Sequence, residues 1–215
     1  MTHTKKFLAE IIKITESELQ LLGFRKTNAV YVCQLAEDAL GWLGLNVATH
    51  RSDGRVGINP VVGVRHERIE KTLAKLLGEK GVRLLPTIST ALGYLMPEGR
   101  YLEWLFEPEP FDYESECKRM AKAVEVYGVA FMKPNSALDD ILRDLEGLRF
   151  ATKDSAIYRI PVAYLIAGET ERALAYVSQQ LEEIGTKNDL AAQQYKTFAS
   201  NLLQEASLGH RTPVG

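Results

Sequence analysis

One stretch constrains this chain more than any other. Residues 40–77, LGWLGLNVATHRSDGRVGINPVVGVRHERIEKTLAKLL, read as a β-hairpin that runs directly into a helix. Asp53-Gly54 supplies the turn, because a two-residue hairpin loop demands a positive φ that glycine adopts without steric cost. Loop length sets the register. With Ser52 facing Arg55, the residues Leu43, Leu45, Val47, Thr49 and Arg51 are predicted to stand opposite Val64, Val62, Pro60, Ile58 and Val56, an almost wholly apolar face. The other face carries Trp42, Gly44, Asn46, Ala48 and His50 against Gly63, Val61, Asn59 and Gly57, with Arg55 at the turn. Glycines at 44, 57 and 63 lower that surface, so that a helix of the same chain, or a ligand or partner, can approach it closely.

An isolated hairpin is marginal in water and needs further strands or a packed helix. The flanking sequence offers both. Residues 5–22 place Phe7, Leu8, Ile11, Ile12, Ile14, Leu19 and Leu22 close to a helical stripe that Gly23 ends, and residues 24–35 form a β-branched and aromatic run suited to a pairing strand. After the hairpin, residues 66–77 put Ile69, Leu73, Leu76 and Leu77 on one helical face. Residues 82–85 suit a short strand, 88–96 are apolar enough for helix or strand, and 101–106 alternate as a strand does. Short connections between these segments favour a sheet of four or five mostly antiparallel strands. The strands should stop at Glu107-Pro108-Glu109-Pro110, where each proline restricts its predecessor.

Beyond that point the pattern is helical. Helices are predicted over 111–127, closed by Gly128, then over 138–145 capped by Asn135 or Ser136, and over 155–167, 169–184 and 188–208, with breaks at Gly168 and Gly185. The expected fold class is therefore α+β. An antiparallel sheet domain with flanking helices would occupy residues 1–108, a C-terminal helical segment would pack on it over 109–210, and 211–215 would be a tail.

Composition narrows the function. A chain of 215 residues with 46% hydrophobic and 25% charged residues can bury a real core. A net charge of -2 and a pI near 6.1 provide no general attraction for nucleic acid, which needs a basic face. The first twenty residues are interrupted by charges at Glu10, Lys13, Glu16 and Glu18, unlike a secretory signal, and no apolar run is long enough to span a membrane. Cys33 and Cys117 have no paired spacing, which points to a reducing, cytoplasmic setting.

His66 in GVRHERIE is the most chemical-looking residue, with a carboxylate at Glu67 and guanidiniums at Arg65 and Arg68 beside it. The same residues also make an ordinary charged first turn, where Glu67 and Glu70 complement the helix dipole, and that reading is preferred. His3, His50, His66 and His210 lack metal-ligand spacing, and the acidic pair Asp139-Asp140 suits a helix start. The glycines at 54, 57 and 63 form no phosphate cradle, and no nucleophile elbow is present. No catalytic set, metal site or cofactor is expected. The candidate binding residues are Trp42, Asn46, His50, Arg55, Asn59, Arg65 and His66, with Trp42, Arg55 and Arg65 as anchors and Trp104 assigned to the core.

Gly23-Phe24-Arg25-Lys26, Leu45-Asn46-Val47, the segment 58–64 and Tyr127-Gly128-Val129-Ala130-Phe131 together resemble a family of uncharacterised bacterial domains. The resemblance implies an N-terminal helix, an antiparallel sheet and a helical tail. Some members are presumed immunity proteins that neutralise a toxin, which implies a protein partner here. PVAYLIAGETERALAYVSQQL is similar to a helix pair of the tetratricopeptide kind, too short to stack as a solenoid by itself. The expected function is non-catalytic protein binding of the immunity or inhibitor kind. The alternatives are a small hydrolase or nuclease-like enzyme using His66 and Glu67, or a helical adaptor.

Overall fold

The computed structural model describes residues 3–49, 54–108 and 112–209. His50 and the turn residues through Asp53, expected above to close the hairpin, lie outside that set, as does the tail from His210. The chain forms two compact units, residues 1–65 with 89–136, and residues 66–88 with 137–215.

The first unit opens with α1 (His3–Leu21), whose stripe buries Phe7, Ile11, Thr15 and Leu19. Gly23 ends it at φ +84°, and the Phe24 N–H returns to the Leu19 carbonyl at 3.1 Å. The strands follow as β1 (Arg25–Thr27), β2 (Val30–Ala36), β3 (Ala39–Gly44), β4 (Val47–Ala48), β5 (Val56–Ile58), β6 (Val61–His66), β7 (Ile88–Ala91) and β8 (Trp104–Phe106). The protein is α+β. A five-stranded antiparallel sheet has the order β1-β2-β3-β6-β7, and a small sheet has the order β4-β5-β8.

Two expectations for the strands are corrected. Residues 24–35 hold two strands and not one, because Asn28 takes φ +57° and turns the chain so that Thr27 pairs with Val30. The long hairpin is likewise divided between the two sheets. Asn46 sits at φ +46° and Pro60 has no N–H to give, so neither strand passes through this point unbroken, and the Asn59 N–H reaches the Asn46 carbonyl at 3.3 Å. Val47 pairs with Ile58 where Pro60 was expected, a displacement of two residues. An even displacement preserves which side chains share a face. Val56, Ile58, Val62 and Val64 are all fully buried, but Gly57, Asn59 and Gly63 of the other expected face are buried too, and Val47 is exposed.

Residues 88–96 resolve into β7 followed by a 3-10 turn at Leu92–Tyr94, and the strand expected over 101–106 is confined to β8. Residues 82–85, expected as a strand, are irregular. Trp104 is 1% exposed, in the core as expected.

The helix beginning with α3 (Tyr113–Ala123) does not stop at Gly128. It continues through a π-helical turn, Val124–Val129, into α4 (Ala130–Met132). Gly128 is instead a point of close approach, since a Cβ there would lie 3.0 Å from Cγ1 of Val62 on β6. Asn135 and Ser136 close this helix and do not cap the next. Nδ2 of Asn135 donates to the Phe131 carbonyl at 2.7 Å and Oγ of Ser136 to that of Lys133 at 2.8 Å.

The second unit contains α2 (Glu67–Leu76), the irregular segment that follows it, α5 (Leu138–Glu146), α6 (Lys153–Ile166), α7 (Thr170–Ile184) and α8 (Leu190–Gly209). Helix α6 is its centre, packing against α2, α5, α7 and α8. Its sequence explains the position: IPVAYLI is apolar on every side, and a helix without a polar face belongs in the interior. Gly168 and Gly185 separate α6, α7 and α8 at positive φ, where the sequence placed its breaks.

Candidate functional site

The polar feature that the second unit organises around its central helix begins at the cap of α2. His66 is extended and its Nδ1 accepts from the Ile69 N–H at 3.4 Å, so the imidazole serves as a helix cap. The His66 N–H donates to Oγ1 of Thr87 at 2.9 Å, and that hydroxyl donates in turn to Oε1 of Glu70 at 2.9 Å. Arg159 of α6 completes the chain. Its Nε donates to Oε1 of Glu70 at 2.7 Å and its Nη2 to Oε2 at 3.0 Å, while Nη1 reaches Oγ of Ser155 at 2.6 Å. Thr87, Glu70 and Arg159 are all buried. Both oxygens of the carboxylate are therefore occupied by a forked, charge-assisted pair, the geometry expected where a buried charge must be matched.

A cavity of about 160 Å³ opens beside this pair. Leu73, Leu77, Val82 and Leu85 form its apolar walls, and Glu79, Arg83, Asp154 and Tyr158 bring polar groups to it. Val82 and Leu85 belong to the irregular segment and are each 47% exposed. The Tyr158 ring is held edge-on against Phe198 with centroids 5.0 Å apart, and it also leans on Tyr195 at 5.3 Å. Burial raises the pKa of the Tyr158 hydroxyl, and the negative charge of Asp154 adds to the effect. This combination of an apolar concavity, a fixed aromatic and charged groups at the opening is suited to recognition.

The residues singled out from sequence are dispersed. Trp42 is buried, and its ring lies over Gly44, where a Cβ would come within 2.7 Å of it. A Cβ on Gly57 would lie 3.2 Å from the Glu103 carboxylate. At these two glycines, side chains of the same unit take the space that sequence reasoning left for a helix or a ligand. Asn59 is buried and its Nδ2 donates to the Leu102 carbonyl at 2.7 Å. Asn46 is exposed, and Arg55 is half-buried in an ion pair with Glu107 at 3.5 Å. Arg65 is 1% exposed and His66 is buried as the cap. Backbone contact joins Asn46 to Asn59. His50 lies outside the described residues.

Sequence reasoning missed Arg159 and the true role of Glu70, which it assigned to the helix dipole. The signal was present in YRIPVAYLI, where a single guanidinium interrupts an otherwise apolar helix and so requires a buried counter-charge. Nothing local names Glu70 as that partner, 89 positions away. Among the described residues no cluster of three or more potential metal ligands occurs, and no helix is long and apolar enough to cross a membrane. No family model, curated protein or solved structure matches the chain.

Proposed function

We propose that this protein is a non-catalytic binding protein of the immunity or inhibitor kind, which neutralises a bacterial toxin by direct association. The observation that carries the reading is the mouth of the second unit's cavity, where Val82 and Leu85 stand exposed next to an apolar concavity. Apolar side chains rimmed by charge are the surface pattern of a protein contact. Two further observations support it. The Glu70 carboxylate and Arg159 guanidinium in the cavity lining are spent on each other, and the imidazole of His66 is spent on a helix cap. The resemblance to presumed immunity proteins points the same way.

The anchors lie elsewhere than Trp42 and Arg65, whose side chains are buried. Co-expression with the product of the adjacent gene tests the proposal. Growth should be restored by the intact chain and by Leu21→Asp, which alters an exposed residue of the first unit, and not by Leu85→Asp. Absence of any protective or binding effect, together with turnover of a small substrate by the purified chain, would remove the reading.

A further inference from the structure

The cavity of the second unit carries unmatched negative charge. The Arg159 guanidinium is held by Glu70, and Arg83 also has an interaction within the protein. The remaining carboxylates, Glu79 and Asp154, have no ion-pair partner among the described residues. The carboxylates of the lining, Glu70, Glu79 and Asp154, outnumber its guanidiniums, Arg83 and Arg159.

Size narrows the occupant. At about 160 Å³ the cavity is well below the roughly 300–1,000 Å³ of sites that enclose a drug-sized ligand, so it suits one protruding side chain. Leu73, Leu77, Val82 and Leu85 can cover a methylene stem, while the Tyr158 ring and the two free carboxylates suit a cationic head. Asp154 lies in the first turn of α6, where the helix dipole opposes a cation, so Glu79 and the apolar walls must share the binding energy.

We propose that this cavity receives an arginine side chain of a partner protein. The inference rests on the binding reading above and specifies its anchor. Arginine is favoured over lysine because a planar guanidinium stacks on a tyrosine ring and takes a carboxylate on each edge. It is also one of the residues enriched at interface hot spots.

The test is an NMR titration of the full chain with n-butylguanidinium, with its uncharged isostere n-butylurea, and with butyrate. The guanidinium should shift the amides of residues 79–85 and 154–159 and bind about tenfold more tightly than the urea, a difference worth about 1.4 kcal/mol. In the double variant Glu79→Gln, Asp154→Asn that preference should vanish. Equal binding of urea and guanidinium by the unaltered chain, preference for butyrate, or shifts confined to other residues would overturn the proposal without recourse to the variant. Leu85-dependent protection against a toxin without guanidinium preference would overturn the arginine anchor alone. Guanidinium preference with no protein partner would overturn the binding reading and, with it, the assignment of a protein ligand.

Discussion

Arg159 on α6 grips Glu70 on α2 through two hydrogen bonds, at 2.7 and 3.0 Å, and both side chains are almost wholly buried. Removing one member strands the other charge in the interior. Glu70→Ala should therefore cost about 3–5 kcal/mol in urea denaturation. The double variant Glu70→Leu, Arg159→Met should recover much of that loss, because an apolar pair of similar volume has no charge to desolvate. A double variant as unstable as the single one would show that the pair does more than satisfy itself.

Gly128 and Val62 approach closely enough that a Cβ on the helix would meet the valine methyl at 3.0 Å. Alanine gains up to about 1 kcal/mol of helix propensity over glycine, which offsets a slight displacement of that methyl. Gly128→Ala should then change stability by less than about 1 kcal/mol, whereas Gly128→Leu overpacks the contact and should lose about 1–3 kcal/mol. Thermal melts decide the order, and pairing Gly128→Leu with Val62→Ala should restore part of the loss.

Val62 itself is fully buried. Val62→Asp places an unpaired carboxylate in that apolar face, and the desolvation penalty of several kcal/mol should leave the first unit unfolded at 25 °C. A cooperative melt at an unchanged temperature would contradict the burial described above.

His66 caps α2 through a bond of 3.4 Å, long enough to be weak. His66→Ala should cost about 0.5–1 kcal/mol, the low end of the range for lost caps, and His66→Asn should restore it. Equilibrium denaturation of the three proteins checks this. A loss that asparagine does not repair would assign His66 another role.

Tyr164 donates to Glu146 and lies beneath Arg172, whose guanidinium carbon is 4.2 Å from the ring centre. Burial, then the hydrogen bond and charge of Glu146, push its hydroxyl up to about 12. An unfolded tyrosine titrates near 10. As pH rises from about 10 to 12 the unfolded chain releases a proton that the folded chain keeps, so stability falls across that window. Tyr31 and Tyr195 are raised as well, mainly by burial, and add to the loss. Tyr164→Phe should make the decline shallower when urea midpoints are followed from about pH 9 to 11.5, with no change in slope below about 9.

Local periodicity determined a good deal of this protein. The amphipathic stripe of α1, the all-round apolar α6, the alternation that buries Trp104 and the breaks at Gly23, Gly168 and Gly185 each depend on a few neighbouring residues, and the α+β class follows from their order. Burial of Val56, Ile58, Val62 and Val64 was also legible, but the alternation was not, since Gly57, Asn59 and Gly63 between them are buried too.

Tertiary structure alone decided the rest. Whether Gly128 would end a helix or admit one against a strand depended on Val62, far away in sequence, and whether Asn135 and Ser136 would cap forwards or backwards depended on which carbonyls were left open. The long hairpin was divided at Asn46 and Pro60 because its ends belong to different sheets. The candidate site was the least legible part. A sequence announces that a buried arginine needs a counter-charge, but only packing, which brings α2 against α6, selects Glu70 from the many carboxylates on offer.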